Sequence, residues 1–141
     1  MELKVKKLNP KAKLPTFAHD TDAGMDLYSL YDHTIHPKEI CRIETGIAIE
    51  LPKDCVCLVW DKGGLSNLYG LKTLGGVFDE GYTGDITIGL INLGHKTFEV
   101  KAGDKVAQIL IQKVERPKIT LVDNLSDGKR GANRYGSTGR S

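Results

Sequence analysis

Long hydrophobic runs and helical periodicity are both missing from this sequence. Its apolar stretches are interrupted within a few residues, far short of the roughly 18 to 20 residues that a membrane-spanning helix needs. No window repeats apolar residues at the 3.6-residue spacing of an amphipathic helix. Residues 1–7 are too polar for a signal peptide. These absences exclude a helical bundle and favour a cytoplasmic protein without a membrane partner.

Cysteine is scarce, with Cys41, Cys55 and Cys57 the only three in 141 residues. An odd number of cysteines in a chain without an export signal argues against a disulfide framework. The CVC spacing places Cys55 and Cys57 on the same face of a strand, and no CxxC pair suggests metal or redox chemistry. We therefore interpret Cys55 and Cys57 as small core residues and assign no chemistry to any of the three cysteines.

Net charge is also small. A formal charge of +2 gives no support for a stable complex with nucleic acid. The charge is uneven, however, because the stretch from residue 128 to the end carries Lys129, Arg130, Arg134 and Arg140 without an acidic residue. We predict an all-β core over residues 1–127 and a mobile basic arm over residues 128–141. A frayed, solvated terminus is the alternative interpretation of the arm.

Strand signals dominate what is present. Alternating or β-branched apolar residues predict strands over residues 42–51, 55–60, 86–93, 97–100 and 105–114. A short helix is predicted only over residues 65–69, between glycines. Sixteen glycines, many at the ends of these runs, give the turn density of a β-sandwich or jelly-roll barrel. The sequence thus predicts a single all-β domain.

Five glycine-flanked segments stand where strands should end. They are AGMDL from Ala23, WDKGGLSNLYG from Trp60, GGVFDEGYTGD from Gly75, GDKVAQ from Gly103 and RGANRYGSTG from Arg130. AGMDL or GDKVAQ alone could be a turn whose aspartate bonds its own backbone. The last segment combines arginine, two adjacent hydroxyls and glycines, which suits the binding of a phosphate chain.

Taken together and in this order, the five segments resemble the signatures of the trimeric deoxyuridine triphosphatase (dUTPase) family. The family patterns are AGxDL, a basic residue before SGLA, GVIDxxYRG, GDRxAQ and RGxGGFGSTG, and the match extends over residues 23–139. The resemblance implies a distorted jelly-roll barrel that assembles as a homotrimer with sites shared between subunits. It also implies hydrolysis of dUTP to dUMP and pyrophosphate with Mg²⁺, which limits uracil in DNA and supplies dUMP for thymidylate synthesis.

For recognition of the nucleoside, the resemblance implies a β-hairpin over residues 73–82 that reads uracil through backbone groups. Gly75 and Gly76 would let the base approach the backbone closely. Tyr82 corresponds to the family tyrosine that packs against the deoxyribose, where its ring leaves no room for a 2′-hydroxyl. We therefore expect deoxyuridine selectivity from this segment.

For the chemistry, the resemblance implies that Asp79 holds and activates the attacking water. Asp26 would orient waters on a magnesium ion that the triphosphate chelates, since magnesium keeps several waters. Gln108 would contact the region of the α-phosphate. The other expected substrate-binding residues are Lys62, Gly63, Gly64 and Ser66 of the second segment and Arg130, Tyr135, Gly136, Ser137 and Thr138 of the arm. Tyr135 would stack over the uracil, so the arm would act as a lid.

The second segment departs most from the family pattern. Lys62 replaces an arginine and keeps the charge without the bidentate fork. Gly63 replaces a serine that usually bonds the phosphates. Three substitutes remain open: the N–H of Gly63, the hydroxyl of Ser66, or a one-residue shift of the alignment. Thr83 also replaces the arginine of YRG, and Asn133 and Arg134 replace paired glycines in the arm.

Three alternatives to the hydrolase are open to the sequence. Deoxycytidine triphosphate deaminase, from the same superfamily, needs a glutamate where this chain has Gly89. A nucleotide-binding or regulatory module without catalysis is suggested by Gly63, but Asp26, Asp79 and Gln108 are all retained. A purely structural jelly roll accounts for the fold and for none of the five segments.

Overall fold

Strands dominate the computed structural model, which describes residues 1–126. In this part of the chain the elements follow in the order β1 (Lys4–Lys7), β2 (Met25–Tyr28), β3 (His33–Ile35), β4 (Ile40–Glu50), β5 (Cys55–Trp60), α1 (Gly63–Tyr69), β6 (Leu71–Leu74), β7 (Val77–Phe78), β8 (Asp85–Asn92), β9 (Phe98–Val100) and β10 (Lys105–Lys113). The mostly-β class with one short helix is confirmed. Residues 1–126 contain no helix that is long and apolar enough to cross a membrane.

The strands form three antiparallel sheets. One has the order β1-β4-β8-β6, the second β2-β10-β5-β7, and the third pairs β3 with β9. Within residues 1–126 the strands do not close into a barrel. That part of the expectation is corrected, because the edge strands β6 and β7 have only four and two residues and pair on one side.

The core lies between the two large sheets. Strand β8 shows the clearest pattern, since its residues alternate between partly exposed and buried along its whole length. Its inward side chains Ile86, Ile88 and Leu90 pack with fully buried aliphatic residues of other strands, including Ile35, Ile43, Ile47, Val106 and Ile109. Burying each of these side chains is worth about 1.5 to 3 kcal/mol. Cys57 is part of this core, Cys55 is also buried, and all three cysteines are free.

The predicted hairpin over residues 73–82 is not formed within this chain. Strand β6 pairs with β8, whereas β7 pairs with β5, so the two halves of the expected hairpin belong to different sheets. Gly75 and Gly76 separate them with φ values of 69° and 104°. Two consecutive residues with positive φ redirect the chain, which glycine allows at little steric cost. The Val59 N–H donates to the carbonyl of Gly76 at 2.8 Å and anchors the redirected segment to β5.

Candidate functional site

Strand β10 brings three of the five segments together because it lies between β2 and β5. Gln108 on β10 pairs with Asp26 of β2 on one side and with Trp60 of β5 on the other. Residues paired across an antiparallel ladder have Cα atoms about 4.5 to 5.5 Å apart. AGMDL, GDKVAQ and the start of WDKGGLSNLYG therefore meet on one sheet.

Asp26 is the central charged residue where these three segments meet. Its side chain is 3% exposed, and Lys62 Nζ donates to Oδ1 at 2.5 Å. Lys105 Nζ lies 2.7 Å from Oδ2. Burial alone would raise the pKa of the Asp26 carboxyl, but the ammonium groups of Lys105 and Lys62 outweigh it and hold that pKa below its usual value. Asp26 is thus a buried carboxylate with two cationic partners.

Gln108 is held in place from two directions. Its Nε2 donates to the main-chain carbonyl of Asp61 at 2.8 Å. Its Oε1 lies over Gly24, where an added Cβ would come within 2.5 Å of that oxygen. The glycine of AGMDL is therefore required for close packing of the glutamine of GDKVAQ. These residues line an open cleft formed by Asp22, Ala23, Gly24, Trp60, Asp61, Gln108 and Leu110.

Asp61 connects this cleft to strand β6. Its Oδ1 accepts hydrogen bonds from the Thr73 N–H and the Thr73 hydroxyl, both at 2.7 Å, and Lys72 Nζ contacts its carboxylate at 2.9 Å. Burial would raise the pKa of Asp61, but the bonds from Lys72 and Thr73 outweigh burial and lower it. The carboxylate therefore fixes the end of β5 against β6.

Lys62, Gly63, Gly64 and Ser66 lie at the start of α1. Lys62 is the residue preceding the helix, with extended backbone angles, and its carbonyl accepts the Ser66 N–H at 2.9 Å. Gly63 and Gly64 are exposed, and Ser66 is half-buried. The N–H groups of a first helical turn have no partner inside the helix. The two glycines therefore offer main-chain donors on an open surface.

The GGVFDEGYTGD segment forms a second group at the β7 edge of the same sheet. Asp79 is exposed, and its carbonyl accepts the Tyr82 N–H at 3.1 Å in a tight turn. The Tyr82 hydroxyl donates to the Asp85 carbonyl at 3.0 Å, and the ring packs against Phe78 with centroids 5.7 Å apart. The ring also covers Gly84, where a Cβ would lie 2.6 Å from the hydroxyl. The Tyr82 ring is thus held in a fixed orientation and is partly exposed.

The two groups are separate within one chain. In residues 1–126 no hydrogen bond or ion pair joins Asp79 or Tyr82 to Asp26, Lys62 or Gln108. The arm residues Arg130, Tyr135, Gly136, Ser137 and Thr138 lie outside the described residues. The structure therefore unites Asp26, Lys62 and Gln108 and places Gly75, Gly76, Asp79 and Tyr82 elsewhere.

Sequence reasoning missed three residues of the first group: Gly24, Asp61 and Lys105. Each lies inside a segment that the sequence already singled out, directly beside or within three positions of a predicted site residue. The one sequence signal for Lys105 was that it is the basic residue of the GDKVAQ segment.

The sequence model described as dUTPase matches residues 10–139. The chain belongs to the dUTPase family. Among its relatives, the deoxyuridine 5′-triphosphate nucleotidohydrolase of Clostridium tetani is 44% identical over 140 residues, 98% of this chain and 97% of the relative. The human mitochondrial deoxyuridine 5′-triphosphate nucleotidohydrolase is 39% identical over 141 residues, 100% of this chain and 56% of the human protein.

Solved dUTPase structures share the fold. The dUTPase of Staphylococcus bacteriophage 80alpha with dUpNHpp superposes with a TM-score of 0.91 at 26% identity and covers 98% of both chains. A mutant dUTPase of phage phi11, described with a structural Mg(II) ion, has a TM-score of 0.84 at 25% identity over 90% of this chain and 100% of that one. The family resemblance inferred from the five segments is confirmed.

The family assignment and the structure both disfavour the deaminase. Gly89 of β8 pairs with Leu74 of β6, and an added Cβ would lie 3.2 Å from the Leu74 Cβ. The position that would need a glutamate is therefore a packing contact between two strands.

Proposed function

We propose that this chain hydrolyses dUTP to dUMP and pyrophosphate, as the names of its relatives describe for those proteins. The observation that carries the proposal is the union of Asp26, Lys62 and Gln108, from three separate segments, around β10. The product would supply thymidylate synthesis, and removal of the substrate would limit uracil in DNA. The cytoplasmic location expected from the sequence stays a prediction.

The second group suits recognition of the deoxynucleoside. Gly75 leaves the backbone open to a flat base, because within residues 1–126 nothing beyond its chain neighbours lies within 4 Å of a Cβ added there. Gly76 is packed instead, since a Cβ added there would lie 3.0 Å from the Val59 carbonyl oxygen. The Tyr82 ring is fixed by Phe78 and by its bond to the Asp85 carbonyl. A rigid ring against the sugar would exclude a 2′-hydroxyl sterically, which is how a site rejects a ribonucleotide.

Asp79 suits the activation of water. Its carboxylate is exposed, and within residues 1–126 no side chain hydrogen-bonds to it. In the proposed step the water oxygen forms a bond to the α-phosphorus while the bond from that phosphorus to the α–β bridging oxygen breaks. The water proton passes to the Asp79 carboxylate, and pyrophosphate leaves with the bonding electron pair.

The phosphates would be held by the first group. Lys62 supplies a positive charge, Gln108 supplies an amide fixed by Asp61, and the N–H groups of Gly63 and Gly64 are exposed donors. Those N–H groups, or the half-buried hydroxyl of Ser66, would replace the serine that the family has at position 63. Arg130, Tyr135, Gly136, Ser137 and Thr138 of the arm complete the proposed set.

Magnesium fits this site only as an ion that arrives with the triphosphate. The described residues contain no cluster of three His, Cys, Asp or Glu side chains that could hold a metal ion alone, and both Asp26 oxygens contact lysines. Asp26 would hold a water of such an ion. When bound, the ion would neutralise charge on the phosphates.

We further infer a homotrimer with sites shared between subunits, in a jelly-roll arrangement. Two observations support it: the separation of the two groups within one chain, and the exposure of Ile119, Leu121 and Leu125 at 93%, 97% and 87%. Large exposed apolar residues in one segment are typical of a subunit contact. Light scattering should give three times the monomer mass, and a fully active monomer would refute the shared site.

Pyrophosphate release from dUTP, dCTP, dTTP and UTP, each with magnesium and with chelator, tests the activity directly. We expect rapid release from dUTP with magnesium and little from the other three nucleotides. Equal release from dUTP and UTP would contradict the role of Tyr82. No release from any nucleotide would refute the hydrolase.

A further inference from the structure

The ammonium group of Lys62 would have to occupy two different positions. The proposed function needs it on the phosphates, yet in the structure it donates to Asp26 Oδ1 at 2.5 Å. Its side chain is 28% exposed, so it can reach the open side of the site only by leaving this carboxylate. A buried carboxylate that loses its only partner is strongly unfavourable. Release of Lys62 therefore requires that another cation stay with Asp26.

Lys105 meets that requirement. It enters from β10, a different element from Lys62, and its Nζ lies 2.7 Å from the other carboxylate oxygen, Oδ2. The contact between Lys105 Nζ and Asp26 Oδ2 is an ion pair without the alignment of a hydrogen bond. Within residues 1–126, Oδ2 accepts no hydrogen bond from any other group. Asp26 itself cannot follow Lys62, because its N–H and carbonyl are bonded to Thr16 at 2.8 and 3.3 Å.

We propose that Lys105 is a positioning residue that keeps Asp26 compensated, so that Lys62 can leave for the phosphates of dUTP. This inference rests on the proposed function. Two lysines share one carboxylate in the structure, so the cluster has one positive charge more than Asp26 needs. That extra charge is the one offered to the triphosphate. Without Lys105, Lys62 would be retained by Asp26 and would be free in only a small fraction of molecules.

The binding of dUpNHpp, measured by calorimetry with chelator and again with magnesium, tests this exchange. Lys105→Met should bind about tenfold more weakly than wild type, because the apparent affinity falls with the fraction of molecules in which Lys62 is free. Lys105→Arg keeps the charge and should bind close to wild type. With dUTP as substrate, Lys105→Met should raise KM and change kcat little.

Removing the carboxylate charge provides the decisive control. In an Asp26→Asn background Lys62 is no longer retained, so adding Lys105→Met should cause no further loss of affinity. If Lys105 contacted the phosphates directly, the loss would persist in that background and overturn the proposal. This comparison remains valid even if Lys105→Met alone fails to fold.

The outcomes also separate this inference from the proposed function. If wild type binds dUpNHpp and Lys105→Met binds it equally well, only the role of Lys105 is wrong. If wild type binds no dUpNHpp and releases no pyrophosphate from dUTP, the proposed function falls, and this inference falls with it.

Discussion

The Gln108 side chain bonds the main-chain carbonyl of Asp61, a residue 47 positions away, at 2.8 Å. The position of the proposed phosphate ligand is therefore set by the backbone at the end of β5. On its other side the amide packs directly on the backbone at Gly24. Any enlargement of Gly24 must move Gln108.

Gly24→Ala should displace Gln108, because the new methyl carbon would lie 2.5 Å from Oε1. Overpacking of this kind costs about 1 to 3 kcal/mol. A displaced contact near the reacting atoms lowers kcat/KM by about ten- to a hundredfold. Urea unfolding and steady-state hydrolysis of dUTP would measure the two effects.

The control for Gly24→Ala is its combination with Gln108→Ala, which removes the clashing oxygen. Stability should recover toward that of Gln108→Ala alone, while activity stays low because the amide is absent. Additive losses of stability would show that the two residues do not press on each other.

Asp79→Asn should fold normally and turn over dUTP at least about a hundredfold more slowly, the scale of a lost general base. Folding should be unaffected because Asp79 is exposed and its main-chain carbonyl, not its carboxylate, closes the turn. Rapid-quench turnover and dUpNHpp binding would separate chemistry from affinity. Glu80→Gln is the matched control, since this neighbour bonds Arg116 and the Asp54 N–H, and it should keep near-normal turnover.

Tyr82→Ala should lose discrimination against UTP, because the ring that would exclude the 2′-hydroxyl is removed. Tyr82→Phe keeps the ring on Phe78 and loses only the bond to the Asp85 carbonyl, worth about 1 kcal/mol. The ratio of kcat/KM for dUTP to that for UTP is the measurement. An unchanged ratio in Tyr82→Ala would place sugar selection elsewhere.

Asp61 should make stability depend on pH. Its folded pKa lies below the value of about 3.9 expected in the unfolded chain. Its stabilisation is therefore complete above about pH 4 and disappears as the pH falls through the folded pKa. Thermal unfolding of wild type and Asp61→Asn should differ at pH 7 and converge toward pH 2. A constant difference across that range would mean that the charge of Asp61 does not stabilise the fold.

Deleting residues 130–141 should leave core stability and assembly nearly unchanged while kcat falls steeply. The removed segment contains the arginine, tyrosine and hydroxyls expected to close over the substrate. Urea unfolding, light scattering and turnover of the truncated chain would test this. Hydrolysis at the full-length rate would show that the segment has no part in catalysis.

Local pattern was sufficient for the long strands. The strand over residues 55–60 was predicted with both of its observed ends, and the strand that begins at Lys105 was predicted with its observed start. Both agree because alternation of β-branched residues is a property of the segment itself. The short strands β1, β2 and β3 were missed, since each is defined by pairing with β4, β10 or β9. The hairpin over residues 73–82 was wrong for the same reason, because a sequence shows a turn at Gly75 and not which sheet each side joins.

The residues of the candidate site likewise fall into two classes: those that one segment reveals and those that only the pairing of two segments reveals. Asp26, Lys62 and Gln108 could be named from motifs, because each motif is contiguous in the sequence. The ion contact between Asp26 and Lys105 could not, because it depends on a bulged register between β2 and β10 that no single segment encodes. The packing of Gly24 under Gln108 was hidden for the same reason.

Because β10 lies between β2 and β5, it also determines at what stage of chain synthesis the site can form. Asp26 and Trp60 leave the ribosome early, yet both must wait for Gln108, on the last of the described strands, before they become neighbours. Pairings between distant parts of a chain form slowly, because a long loop must close before any contact is gained. A nascent chain stopped before residue 105 would have neither the phosphate ligand nor the strand that holds β2 beside β5. Binding competence should therefore appear abruptly, near the end of synthesis.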